Sequence, residues 1–155
     1  MKKSYLLPNY FKKIGWCIVV PGIIILLLGL FKVGNLNFSF KFIGFEEMFF
    51  EDMRFGIVDA DFINTIIPII IIVGLLFITF AKEKIEDEMI TQLREKSFAW
   101  AVKVYAIILI VGILFTYQFS YLYFLAGMIY VIFILFIIKF NVELSRSRRS
   151  LRNEK

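Results

Sequence analysis

The sequence predicts an all-α membrane protein: four transmembrane helices, both termini cytoplasmic, an extracytoplasmic aromatic and acidic loop, and a cytoplasmic connecting helix. Composition is the first reason. Of 155 residues, 60% are hydrophobic and only 20% charged, against roughly half and about a quarter in an ordinary soluble domain. The second is that the apolar residues fall in blocks near the ~20 residues needed to cross a hydrocarbon core of ~30 Å. The third is that Lys and Arg gather at the block ends that share one side. Histidine is absent and Cys17 is the one cysteine. An internal disulfide is therefore impossible, and most zinc, haem and imidazole-base chemistry is closed to the chain. Length fits a single membrane domain over residues 1–155.

The first span, residues 14–31, is free of charge and lies between Lys12–Lys13 and Lys32. A basic start before an apolar run also describes a signal peptide. No small-x-small site follows Phe31, however, and the run is long for a signal core, so the helix is expected to be retained. A lipoprotein site at Cys17 fails because the apolar run follows the cysteine. Gly15, Gly22 and Gly29 recur every seven residues and mark one face where a neighbouring backbone can come close. That face serves either packing within the chain or a homo-oligomer seam. The second span, residues 62–81, lies between Asp61 and Lys82.

Residues 98–138 carry one charge, Lys103. At 1.5 Å per residue this stretch is too long for one crossing and right for two. The polar run Thr116, Tyr117, Gln118, Phe119, Ser120 is the expected turn, giving spans at 98–116 and 121–138. Lys103 is then one turn inside the third span, where its stem carries the ammonium back to the interface. Trp16, Trp100, Tyr105, Tyr121 and Tyr123 lie near expected span ends, the usual place for interfacial aromatics.

Basic residues set the sidedness. Lys2, Lys3, Lys12 and Lys13 precede the first span; Lys82, Lys84, Arg94 and Lys96 follow the second; Lys139, Arg146, Arg148, Arg149, Arg152 and Lys155 follow the fourth. The opposite side has only Lys32, Lys41 and Arg54. The net charge of +5 is thus a topology signal, and nucleic acid is not expected as a partner. The basic tail over 139–155 is suited to anionic lipid headgroups, at roughly 1 kcal/mol per residue near the surface.

The outer loop, residues 33–61, holds Glu46, Glu47, Glu51, Asp52, Asp59 and Asp61. Phe38, Phe40 and Phe42 alternate with Ser39 and Lys41, a period of two that predicts an extended strand. Phe45, Met48, Phe49 and Met53 fall at helical spacing and predict an amphipathic stretch, either a cap on the bundle or a binding surface. The carboxylates lack calcium-loop spacing, so no metal is expected. The inner segment, residues 82–97, has no Gly or Pro and predicts a connecting helix that continues the second span. Ile85, Met89 and Leu93 form its apolar stripe, flanked by Glu86, Asp87 and Glu88. These six are the candidate partner-binding residues, the alternative being a solvated connector. Lys82–Glu86 and Lys84–Glu88 have the four-residue spacing of helical ion pairs.

No Asp, Glu, Lys or Arg occupies a span centre, which separates the chain from small exporters that depend on an intramembrane carboxylate. Phosphate-loop, H-E-x-x-H and G-x-S-x-G motifs are missing. Neither catalysis nor a cofactor is expected. Residues 7–16, Leu-Pro-Asn-Tyr-Phe-Lys-Lys-Ile-Gly-Trp, and 82–90, Lys-Glu-Lys-Ile-Glu-Asp-Glu-Met-Ile, together resemble a group of small four-span membrane proteins of Bacteroides-type bacteria, of unknown function. More loosely they resemble small bacterial membrane proteins encoded beside a helix-turn-helix regulator. The resemblance covers about the first two-thirds of the chain by its motifs. It implies a bacterial inner-membrane location and a cytoplasmic regulatory protein as partner, and carries no catalytic residues. The leading expectation is a non-enzymatic interaction component acting through the inner helix. A permeability factor for an apolar or lipid-like solute and a subunit of a larger membrane complex are the rivals.

Overall fold

Backbone surrounded by hydrocarbon has no water to bond, so apolar runs pair their amides internally as helices. The computed structural model describes residues 6–30, 39–46, 54–84 and 87–153. It contains four helices, α1 (Tyr10–Leu30), α2 (Phe62–Phe80), α3 (Glu88–Phe115) and α4 (Phe119–Asn153). All four are long and apolar enough to cross a membrane. Two strands, β1 (Ser39–Glu46) and β2 (Arg54–Asp61), lie between α1 and α2. The chain divides into two compact units: Trp16–Gly74, and Met1–Gly15 with Leu75–Lys155.

In the unit Trp16–Gly74, α1 and α2 meet along the glycine face. A Cβ on Gly22 would stand 2.8 Å from Ile71 Cγ1, and one on Gly29 would stand 2.8 Å from Ile63 Cγ2. Both distances are shorter than van der Waals contact, so the approach depends on the missing side chains. Both helices run through their prolines, Pro21 and Pro68. The strands form an antiparallel pair with Ser39 opposite Asp61 and Lys41 opposite Asp59. The alternation of Phe40 and Phe42 is therefore a strand, as the two-residue period predicts; Phe38 lies outside the described residues.

Three expectations are corrected here. The described chain is mostly helical but not all-α, because a two-stranded sheet is present. The expected helical stretch does not include Phe45, which lies in β1 opposite Phe55; Met48, Phe49 and Met53 are outside the described residues. Residues 54–61, which had no expected strand, form β2. The physical reason is that Ile43 breaks the polar half of the alternation in β1. Alternation then fades, and a helical period can be drawn through what remains.

In the unit containing Leu75–Lys155, α3 and α4 form an antiparallel hairpin. Thr116 ends α3, with its amide and hydroxyl both donating to Gly112 O at 2.9 and 2.7 Å. Gln118 then takes a left-handed conformation, φ 55°, and α4 begins at Phe119. This is the turn expected from the polar run. Next to it, a Cβ on Gly112 would overlap the Phe124 ring, 1.9 Å from Cζ. Further along, Ile90, Ser97 and Ala101 of α3 are buried, as are Phe136, Ile137, Phe140 and Leu144 of α4. Phe98 meets Phe136 edge-on at 6.1 Å, and Phe136 stacks on Phe140 at 5.7 Å.

The expected continuation of α2 into residues 82–97 is also corrected. Helix α2 stops at Phe80, residues 81–84 and Asp87 are not helical, and α3 starts at Glu88. The Asp87 side chain caps it, accepting from Ile90 N at 2.8 Å, and Glu88 in the first turn suits the helix dipole. Lys82 and Lys84 precede the helix, so the expected four-residue ion pairs have no helical geometry. Lys103, expected one turn from a helix start, is instead about four turns into α3. The basic tail is helical as far as Asn153 and makes α4 35 residues long, about 52 Å.

Candidate functional site

A helix end leaves its last carbonyls without intrahelical partners. At the end of α2 the carbonyls of Thr79 and Phe80, and of Ala81 and Lys82 just beyond, are met by groups from elsewhere in the chain. Leu7 N donates to Phe80 O at 2.9 Å and Lys82 N to Leu7 O at 2.8 Å, which makes a short parallel bridge between Leu7 and Ala81. The Asn9 side-chain amide donates to Lys82 O at 2.6 Å. Arg94 reaches from α3 to donate to Thr79 O at 2.9 Å and Ala81 O at 3.2 Å. Its guanidinium also lies over the Phe140 ring, 4.8 Å from the centroid, a cation–π contact that ties α4 to the same point.

Glu83 sits at the centre of this junction and is 8% exposed. Its Oε1 accepts from Lys12 Nζ, and its Oε2 lies 3.4 Å from Arg148 Nη2. A carboxylate this buried needs paired charge to offset its desolvation, and here the cations come from α1 and α4. The N-terminal segment, the α2–α3 connection and the polar half of α4 are thereby joined in one cluster. Its chemistry is electrostatic and orienting. Among the described residues, no group of three or more His, Cys, Asp or Glu comes together to hold a metal ion.

The residues singled out by sequence are spread around this junction. Asp87 is the α3 cap, and Glu88 and Met89 are exposed, Met89 at 40%. Leu93 is half-buried. The Ser147 hydroxyl lies 3.5 Å from Met89 Sδ, so the start of α3 faces the polar half of α4. Ile85 and Glu86 lie outside the described residues. Gly22 and Gly29 line the α1–α2 contact, and Gly15 is buried. Sequence reasoning missed Lys12, Glu83, Arg94 and Arg148 as a set. One signal was present: Ile90, Arg94, Ser97 and Ala101 follow a four-three-four spacing, which places Arg94 on the buried seam of α3. An arginine on such a seam calls for acceptors.

No protein-family model matches the chain, and neither a curated protein nor a solved structure matches it.

Proposed function

We propose that this is a multi-pass protein of the bacterial inner membrane, with both termini cytoplasmic, that works without catalysis by binding another protein at its cytoplasmic end. The observation that carries the reading is the Glu83 junction. It gathers three segments that are separate in sequence, and those same segments hold most of the basic residues. A basic excess resists translocation, which favours the cytoplasmic side for all three. The resemblance of residues 7–16 and 82–90 to small bacterial membrane proteins supports the same location and a regulatory protein as the partner. Beside the junction, the first turns of α3 offer an exposed surface of Glu88, Met89, Gln92 and Glu95. A partner with a basic, apolar-edged face fits it, because a central apolar anchor within a polar rim is the common anatomy of such contacts.

Affinity purification of the full chain in several mild detergents tests this. A specific protein should be recovered with the wild type and lost with Met89→Ser/Leu93→Ser, while thermal stability of the variant in detergent stays close to wild type. No partner in any detergent, or one that binds the variant equally well, overturns it.

A further inference from the structure

Four basic residues of α4, Lys139, Arg146, Arg148 and Arg149, divide into two groups. Lys139 pairs with Glu143 at 2.7 Å and lies over the Trp100 ring, and Arg148 faces Glu83. Arg146 and Arg149 are exposed and pair with no carboxylate among the described residues. They line a recess of about 340 Å³ together with Asn141, Val142 and Ser145. Val142, Ser145, Arg146 and Arg149 are spaced i, i+3, i+4 and i+7, so they share one face of the helix. Traced back at four-residue steps, that face continues through Ile138 and Ile134, which are 56% and 42% exposed. One stripe on one helix therefore changes from exposed apolar to exposed cationic at Val142.

We propose that this recess is a binding site for an anionic phospholipid. The headgroup phosphate is held by Arg146 and Arg149, and an acyl chain lies along Val142 and Ile138. A guanidinium fork matches phosphate oxygens in geometry and charge, and the Ser145 hydroxyl and Asn141 amide oxygen supply further polar contact. The Asn141 amide nitrogen is already committed, donating to Ile137 O at 2.8 Å. Charge complementarity selects the occupant. Two arginines with no salt bridge among the described residues attract a headgroup of net negative charge and repel the ammonium of a zwitterionic one. The apolar stripe directly below gives a lipid more contact than a free anion of the same charge.

The inference rests on α4 crossing the bilayer, which alkaline carbonate extraction of membranes checks separately. The purified full chain is equilibrated with mixed micelles of phosphatidylglycerol and phosphatidylcholine with identical acyl chains, and retained lipid is quantified by mass spectrometry after gel filtration. Wild type should retain phosphatidylglycerol in preference. Each of Arg146→Gln and Arg149→Gln should reduce that preference about fivefold, the usual effect of one basic residue near a charged surface. Lys13→Gln/Lys96→Gln, which removes two charges elsewhere, should leave it unchanged. Absence of a wild-type preference, equal loss in the Lys13/Lys96 variant, or full displacement of the lipid by millimolar inorganic phosphate overturns the proposal. Circular dichroism and gel-filtration profiles matching wild type show that each variant is folded.

Discussion

The Glu83 junction and the α1–α2 contact in Trp16–Gly74 hold helices by opposite means. At the junction the contacts are directional and polar: two cations on one carboxylate, and donors on the carbonyls of Thr79, Phe80, Ala81 and Lys82. At Gly22 and Gly29 the contact is one of shape alone, with isoleucine side chains filling the space a Cβ would occupy. The difference follows from position along a helix. In the middle of an apolar helix the backbone is satisfied and lipid competes for every apolar surface, so close fit decides. At a helix end unsatisfied carbonyls remain, and polar partners decide.

Substitutions can break this contrast in order of expected cost. Glu83→Ala should destabilise most, by roughly 2–3 kcal/mol, less than the roughly 3–5 kcal/mol for breaking a fully buried pair, because Arg148 is 60% exposed. The midpoint of denaturant unfolding in detergent measures it, and tryptic cleavage after Lys12 should quicken as the N-terminal segment is released. A variant with unchanged midpoint and unchanged cleavage would show that the junction holds nothing. Gly22→Ala should cost about 1–2 kcal/mol by overpacking, since Ile71 is only 2% exposed and has little room to move. Its tryptic pattern at Lys12 should match wild type, and early cleavage there would mean that the two regions are not independent. Ser97→Ala should have the smallest effect, neutral to slightly stabilising. The hydroxyl is fully buried with no hydrogen-bond partner among the described residues, so its loss removes a desolvation cost.

The same contrast explains what could be read in the sequence. Spans follow from long apolar blocks, so all four helices and the turn at Thr116–Gln118 were legible, as was the strand at Phe40 and Phe42. Glycine spacing pointed to the face of α1 that meets Ile63 and Ile71. Apart from the seam position of Arg94, the junction was not legible, because the bonds to Glu83 and from Asn9 join residues 65 to 73 positions apart. Residues 82–97 illustrate the failure in detail. Their composition favours helix throughout, yet residues 82–84 and 87 are not helical, where the parallel bridge of Leu7 to Ala81 and the Asp87 cap outweigh propensity. The strand β2 was hidden for a similar reason, since its order depends on a partner strand rather than on its own mixed polar sequence.

The short turn between α3 and α4 has a consequence for how the protein enters its membrane. Only Thr116, Tyr117 and Gln118 separate the two helices, and no charge occurs from Val104 to Ile138. With so short a link, two helices that both cross the bilayer must do so in opposite directions, as one hairpin. In the topology proposed above, the strongly basic segment that follows stays on the side of synthesis and orients both helices at once.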